Sequence, residues 1–262
     1  MIQQNPEYIT KPKAVKGAAA FSKTIGVLQL IADADQPQTI SQLVELSGLP
    51  RPTLHRILKA LVFEGMVQIR PNKTYIVGTR MITLAGRAIE QNEIMRISER
   101  HIEQLCTETQ ETIHLAIFTG KDLVYTQKKD SPHAVRIASS VGGSAPMHAS
   151  AIGRCVLAFL PQEDRGRILD DLSLSRLTKY TIVDRSTLEN EILKTRQNGY
   201  SVAHQQTDLE IECFGACVFD RRGMPVAGIS ISVPLYRRNE DIQKYVQPLR
   251  QCCSRISSQL TT

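Results

Sequence analysis

The stretch GLPRPTLHRILKAL, residues 48–61, decides the fold of the first third of the chain. Its apolar residues recur at the spacing of one face of an α-helix, and Gly48 before them tolerates the left-handed conformation that ends a preceding helix. Pro52 suits the first helical position, because its missing N–H is not needed there. The predicted inner face consists of Leu54, Ile57, Leu58, Leu61 and Val62.

The segments around this helix complete a recognisable pattern. Apolar residues from Phe21 predict one earlier helix, and Ser41 is a suitable N-cap for a second, short one. After Gly65, the sequence MVQIRPNKTYIVG alternates apolar and polar residues on either side of a basic tip, as β-hairpins do. Two helices, a tight turn, a third helix and a hairpin predict a winged helix-turn-helix.

The outer face of the third helix and the hairpin tip carry the candidate DNA contacts. Side chains near the start of a recognition helix reach base edges, and cations meet phosphates. A solvated amphipathic helix is the alternative interpretation. Residues 1–90 hold eleven Lys and Arg against six Asp and Glu, which favours a polyanion as the partner. The predicted contacts are Arg51, Thr53, His55, Arg56 and Lys59 on the helix, and Arg70 and Lys73 on the hairpin.

Beyond the hairpin, residues 79–107 have helical periodicity with a break at 91–93, where we place a domain boundary. Strands are predicted at 112–120, 122–129, 134–140, 200–205, 211–220 and 225–233. Helices are predicted at 149–160, 162–172, 187–198 and from Asn239 to Leu260. This alternation predicts an α+β domain around a largely antiparallel sheet. The expected division is a flexible arm at 1–17, a winged helix-turn-helix domain at 18–78, a linker helix at 79–92 and a second domain at 93–262.

Composition excludes several other classes of protein. No apolar run reaches the ~18 residues that a membrane span needs, and the N-terminus lacks the apolar core of a secretory signal, so we expect a cytoplasmic protein. The six cysteines form no CxxC pair, and reduced thiols are expected. No cofactor is expected.

Two further motifs carry a family resemblance. The segments GGSAPMHASAIGRCVLAFLP (142–161) and NGYSVAHQQTDLEIECFGACVFDRRGMPVAGISISVP (198–234) stand in order behind SGLPRPTLHRILKALVFEGMVQ. In these the chain resembles the IclR family of bacterial transcription regulators, over nearly its whole length past Phe21. The second signature usually has acidic residues near 205–206 and a glycine near 210, where this chain has Gln205, Gln206 and Glu210. Many relatives have a serine where this chain has Pro52.

The resemblance implies a regulator whose binding to a double-stranded DNA operator depends on a small metabolite, and it favours repression over activation. It implies a GAF-like second domain that binds a small organic acid or aromatic metabolite, and assembly into dimers or tetramers. We expect the metabolite to be a carboxylate or sugar acid, and no membrane as partner. Ser230 and Ser232 alternate with isoleucines, so both hydroxyls share one face of a strand. The effector-binding residues carried over from the family are Ala151, Ile152, Ala203, Cys213, Ser230 and Ser232.

An enzyme that acts on a small acid through His148 or Cys213 is the rival interpretation. Ser150 and Cys155 lie near His148 in the sequence, but no nucleophile signature surrounds any of them. We therefore predict that the chain is no enzyme and that the His148 ring bonds to the backbone. A metal site of His148, His204 and Cys213 lacks the spacing typical of metal ligands.

Overall fold

A computed structural model describes residues 17–133 and 139–260. The chain divides into two compact units, Met1–Gln91 and Asn92–Thr262. The predicted arm at 1–17 lies outside the described residues except for Gly17. No described helix is long and apolar enough to cross a membrane. All six cysteines are free thiols, as predicted.

The first unit is a three-helix core with a small antiparallel sheet and a further helix. The order of its strands in the sheet is β1-β3-β2. The elements are α1 (Ala19–Ala32), β1 (Gln38–Thr39), α2 (Ile40–Ser47), α3 (Arg51–Phe63), β2 (Val67–Ile69), β3 (Thr74–Val77) and α4 (Arg80–Gln91).

The apolar faces of α1, α2 and α3 enclose one core. On α3 the buried residues are Leu54, Ile57, Leu58 and Leu61, as the periodicity predicts, while Val62 is half-buried. On α1 the buried residues are Val27, Leu28 and Ile31, while Ile25 is 41% exposed.

Three local features differ from the prediction. The N-cap of α2 is Thr39 and not Ser41, because Thr39 and Gln42 form a reciprocal capping box that starts the helix earlier. Pro50 occupies the N-cap of α3, and Pro52 stands at the second helical position. Strand β1, which pairs with β3, was not predicted, because its two residues are too few to show an alternating pattern.

The second unit is an antiparallel five-stranded sheet, in the order β5-β4-β8-β7-β6, with helices on both faces. This confirms the predicted α+β class. Its elements are α5 (Glu93–Thr109), β4 (Thr112–Phe118), β5 (Leu123–Lys129), α6 (Ala151–Phe159), α7 (Gln162–Asp171), α8 (Arg185–Asn198), β6 (Ser201–His204), β7 (Ile211–Phe219), β8 (Pro225–Pro234) and α9 (Gln243–Gln259).

Alternation along the strands separates two cores. Ile229 and Ile231 of β8 and Phe214 of β7 pack with α5 and α9 on one face. Residues that alternate with these along the strands, such as Cys217 of β7, pack with α6 and α8 on the other face. The side chains of Ser230 and Ser232 therefore belong to the face that α6 covers.

Two predicted elements of the second unit need correction. Residues 134–138 of the predicted strand 134–140 lie outside the described residues, and 139–140 are not in a strand. The last helix begins at Gln243 and not at Asn239. The Asn239 side chain accepts a hydrogen bond from the Asp241 N–H at 3.0 Å, a local bond that favours a turn over a helix.

Candidate functional site

The turn between α2 and α3 fixes the direction of α3. Gly48 has φ of +62° and donates its N–H to the Val44 carbonyl at 3.0 Å, which ends α2 in the left-handed conformation. Pro50 then caps α3, and the Leu54 N–H donates to its carbonyl at 3.0 Å. Since the inner face of α3 is packed against α1 and α2, the opposite face points to solvent.

The predicted contacts on α3 lie on this outer face. Arg51, His55, Arg56 and Lys59 are exposed, and Thr53 is half-buried. Within residues 17–133 and 139–260, neither arginine nor Lys59 forms an ion pair with a carboxylate. The helix therefore presents cations that are free to meet an external anion.

The hairpin of β2 and β3 carries the other two predicted contacts at its tip. Arg70 and Lys73 are exposed, and the Lys73 N–H donates to the Arg70 carbonyl at 2.9 Å. Lys73 adopts φ of +60°, while the Asn72 side chain accepts from the Thr74 hydroxyl at 2.7 Å. At the hairpin base, a Cβ on Gly78 would lie 2.1 Å from the Gly65 carbonyl oxygen, so only glycine fits. These bonds shape the tip, and both of its cations are exposed to solvent.

In the second unit, strand register brings the predicted effector residues together under α6. Cys213 of β7 lies opposite Ala203 of β6 on one side and Ser232 of β8 on the other. Its thiol donates to the Ser232 hydroxyl at 3.3 Å. Ser230 is the next residue on this face of β8, and Ala203, Ser230 and Ser232 are all buried.

Helix α6 begins directly over these strands. Ser150 caps it by accepting the Gly153 N–H at 2.9 Å, and the Ser201 hydroxyl donates to the Ala151 carbonyl at 2.5 Å. Glycines in the strands permit the close approach. A Cβ on Gly215 would lie 2.6 Å from the Ala151 carbonyl carbon, and one on Gly228 would lie 2.5 Å from Cγ2 of Ile152. The two predicted residues of α6 therefore lie against the sheet beside the polar strand positions.

The same face carries a histidine that was not predicted as a site residue. His114 of β4 pairs with Ser230, and its ring is buried. Nε2 lies 2.5 Å from the Ser139 hydroxyl, and Nδ1 lies 3.5 Å from the Ser232 hydroxyl. Burial lowers the pKa of His114 to about 4, and the charge of Lys128 acts in the same direction. Alternation within the strand TIHLAIF (112–118) would have placed it on this face, since Ala116 and Thr112 share the face.

A buried cation lies beside these strands. Arg154 of α6 is 1% exposed, and its Nη2 donates to the Val202 carbonyl at 2.6 Å. The nearest carboxylate, that of Glu191, is 3.9 Å away, and Nε has no hydrogen-bond partner. Burial lowers the pKa of Arg154, and Glu191 only partly opposes this. The positive charge is therefore incompletely balanced within the described residues.

Charges around Cys213 have opposite signs. Burial raises the pKa of its thiol to about 11, and the carboxylate of Asp208 acts in the same direction, whereas the Arg154 charge opposes it. Burial also raises the pKa of Tyr125 well above its usual value, and the Cys213 and Asp208 charges add to this effect. The charges of Arg154 and Asp208 thus act in opposite directions on the pKa of Cys213.

The loop that carries Asp208 differs from the family pattern noted above. Glu210 has φ of +60°, the region where a glycine is least strained, which explains the usual glycine at this position. Gln205 also has positive φ, and its side-chain oxygen accepts the Glu210 N–H at 2.9 Å. The Gln205 and Gln206 carbonyls accept hydroxyl hydrogen bonds from Thr178 and Thr181. The loop is therefore held without the acidic residues.

Neither His148 nor Cys213, the two residues of the rival enzymatic interpretation, forms part of an activated nucleophile. His148 Nε2 donates to the Ser175 carbonyl at 2.9 Å, as predicted, and its ring contacts neither Ser150 nor Cys155 through a hydrogen bond in the described structure. Cys213 is a neutral thiol at physiological pH because its pKa is raised. Among the described residues, no group of three His, Cys, Asp or Glu side chains could hold a metal ion.

Comparison with known proteins identifies the family. A family model described as the IclR helix-turn-helix domain matches residues 20–71, and one described as bacterial transcriptional regulator IclR C-terminal matches residues 86–258. The regulator KdgR of Dickeya chrysanthemi is 30% identical over 250 residues, covering 95% of this chain and 82% of that protein. The transcriptional repressor IclR of Escherichia coli K12 is 27% identical over 241 residues, covering 91% and 88%.

Solved structures share the fold. The IclR of Thermotoga maritima superimposes with a TM-score of 0.72 at 26% identity, covering 92% of this chain and 98% of that one. An IclR homolog of Microbacterium hydrocarbonoxydans, crystallised with 4-hydroxybenzoate, gives 0.79 at 22% identity, covering 92% and 98%. The helix-turn-helix unit, the antiparallel second unit and these matches lead to one conclusion: the chain belongs to the IclR family of bacterial transcriptional regulators.

Proposed function

We propose that the chain is a repressor that places α3 in the major groove of an operator and responds to an anionic effector held under α6. The observation that carries the DNA-binding part is the set of exposed cations on α3 and the hairpin tip, which have no carboxylate partner among the described residues. Proteins bind DNA through such cations, because each neutralised phosphate releases condensed counterions. Because the operator lies on the chromosome, the proposal also places the protein in the cytoplasm.

Individual side chains take different roles in this proposal. Arg56, one turn into α3, is suited to bidentate bonds with a guanine, and Thr53 to a phosphate or a thymine methyl. Arg51, His55 and Lys59 flank them. Arg70 and Lys73 at the hairpin tip are suited to phosphate or minor-groove contacts, beside the groove that α3 occupies.

The effector part of the proposal rests on the incompletely balanced charge of Arg154. A buried cation without a close partner is costly, and an anion bound nearby reduces that cost. The orphan backbone N–H groups at the start of α6, at Ala151 and Ile152, and the hydroxyls of Ser230 and Ser232 supply hydrogen-bond donors. Ala203 and Cys213 complete the wall. These groups fit a small carboxylate or sugar acid.

The proposed effector site is closed in this structure, since Ser230 and Ser232 are at most 4% exposed. An effector reaches them only when the covering segments separate from the sheet. A bound effector then favours one arrangement of the protein over another, and so changes operator affinity by shifting a population.

We also propose that the chain works as a dimer or tetramer. Ile82 and Ile89 of α4 lie on one face of that helix and are 74% and 48% exposed. Helix-turn-helix proteins read two half-sites as symmetric dimers, and an apolar face on a second copy would cover these residues. Sedimentation of the Ile82→Lys variant tests this: we expect a smaller species than the wild type, and an unchanged sedimentation coefficient would argue against α4 as the contact.

Two variants, studied in parallel, test whether α3 binds the operator and the site under α6 binds the effector. Operator fragments are first selected from a random duplex library by the full-length protein. Lys59→Ala should weaken operator binding and keep the thermal stabilisation that an effector gives, while Ser232→Ala should keep operator binding and lose that stabilisation. The proposal fails if Ser232→Ala weakens operator binding as much as Lys59→Ala does.

An enzymatic role is not part of the proposal. His148 bonds to a backbone carbonyl, and the Cys213 thiol is protonated. Mass spectrometry of candidate acids after incubation with the protein checks this, and consumption of a bound acid would contradict it.

A further inference from the structure

His114 lies on the same polar face of the sheet as Ser230 and Ser232, although none of the family motifs contains it. The strand register places it beside Ser230, while Thr112 two residues earlier lies beside Ser232. The ring is 3% exposed and lies 5.3 Å from the ring of Tyr125. His114 therefore forms part of the inner wall of the proposed effector site.

The ring has a hydroxyl near each nitrogen, but the two hydroxyls differ in how they are held. Ser232 is fixed in the central strand β8, and its hydroxyl also accepts a hydrogen bond from the Cys213 thiol. Ser139 belongs to the segment that precedes α6, outside any helix or strand, and lies closer to the ring, at 2.5 Å. When that segment separates from the sheet, Nε2 loses its partner while the contact to Ser232 stays.

The protonation state of the ring limits which group can replace Ser139. A ring that is neutral at physiological pH offers one N–H donor and one lone pair. A hydroxyl satisfies either nitrogen in either tautomer, because it both donates and accepts. The charged groups that act on the ring are Lys128, whose Nζ lies 3.1 Å from the Ser139 carbonyl oxygen, and Asp130, whose carboxylate lies 3.0 Å from that Nζ.

We propose that His114 is a specificity-determining residue of the effector site, which recognises a hydroxyl of the effector in place of the Ser139 hydroxyl. The effector is then a hydroxy acid, with its carboxylate toward α6 and a hydroxyl toward β4. This inference rests on the proposed function, since it concerns the same site. It adds a second functional group of the ligand, a hydroxyl, and identifies His114 as the residue that recognises it.

The test compares hydroxylated acids with analogues that lack the hydroxyl. Full-length protein is titrated with glycolate and acetate, D-gluconate and 6-deoxy-D-gluconate, and 4-hydroxybenzoate and benzoate, by thermal shift and then calorimetry. For the pair that binds, we expect the hydroxylated member to bind about tenfold more tightly, as one additional hydrogen bond allows. His114→Phe should abolish this preference and leave the affinity for the analogue unchanged.

A second variant keeps the test sound if His114→Phe does not fold. Ser139→Ala removes the hydroxyl that competes for the ring, so it should tighten binding of the hydroxylated acid by several-fold. His101→Phe, a substitution on α5, is the matched control and should retain the preference.

The outcomes separate this inference from the proposed function. If an acid binds and changes operator affinity, but its analogue without the hydroxyl binds equally well, the inference is wrong and the proposed function stands. Retention of the preference in His114→Phe also overturns the inference. If no acid in the panel binds, both the anionic-effector proposal and the inference built on it are contradicted.

Discussion

The salt dependence of operator binding gives the sharpest test of the proposed DNA contacts. Five exposed Lys and Arg residues on α3 and the hairpin tip lack a carboxylate partner among the described residues. Each phosphate contact contributes about −0.9 to the slope of log K against log salt, so the four of these cations that are not assigned to a base give about −3.6 per protomer and about −7 per dimer. Lys73→Ala removes one contact per protomer and should make the dimer's slope shallower by about 2.

The assay is fluorescence anisotropy with a labelled operator between about 50 and 300 mM salt. Arg167→Ala is the matched control, because it removes the same charge from an exposed guanidinium already paired with Glu163 and Asp164 on α7. Its slope should equal that of the wild type. Equal changes in the Lys73→Ala and Arg167→Ala variants would refute the reasoning, since net charge and not location would then determine binding.

Arg56→Ala should behave differently from Lys73→Ala. If its guanidinium bonds to a base, the variant loses about 1–3 kcal/mol of operator binding and discriminates less at one base pair, measured with single-base operator variants. Gly153→Ala should destabilise the protein by about 1–3 kcal/mol in urea, because the new methyl would lie 2.5 Å from Met147 Cα, whereas Gly166→Ala on open surface should be neutral or slightly stabilising. His114 titrates at about 4 when folded and near 6.5 when unfolded, so the unfolded state takes up the proton first and stability falls as pH drops through this window. In the His114→Gln variant, the free energy of unfolding should therefore fall by about 2 kcal/mol less between pH 7 and pH 5 than in the wild type, as measured by urea titrations at both pH values. Asp208→Asn should tighten binding of an acid, since its charge opposes that of Arg154 at Cys213; weaker binding by calorimetry would contradict the anionic-effector proposal.

The helix-turn-helix could be predicted because its signals are local. The stripe on α3 depends on spacing within one helix, and Gly48 acts within one turn, so both appear in the sequence without knowledge of the rest of the fold. The errors there are also local: Ser41 competes with Thr39 as a cap, and only the reciprocal bond from Gln42 favours Thr39.

The proposed effector site depends on contacts between distant parts of the chain. Ser230 and Ser232 were predicted to share a face from alternation alone, but their proximity to His114 follows from the pairing of β4 with β8, which no short stretch of sequence specifies. Arg154 stood in a motif beside Ala151 and Ile152, yet its burial and incomplete pairing depend on α8 and β6. Charge balance of this kind emerges only from the packed structure.

The central claim is that one protein couples an acid bound under α6 to an operator bound by α3. Linkage requires the coupling to be reciprocal: the factor by which the acid changes operator affinity must equal the factor by which operator changes acid affinity. Anisotropy titrations of operator with and without saturating acid, and calorimetric titrations of acid with and without saturating operator, give both factors. We expect both to show the same weakening, of about 5- to 150-fold. An acid that binds the protein tightly and leaves operator affinity unchanged would contradict the account.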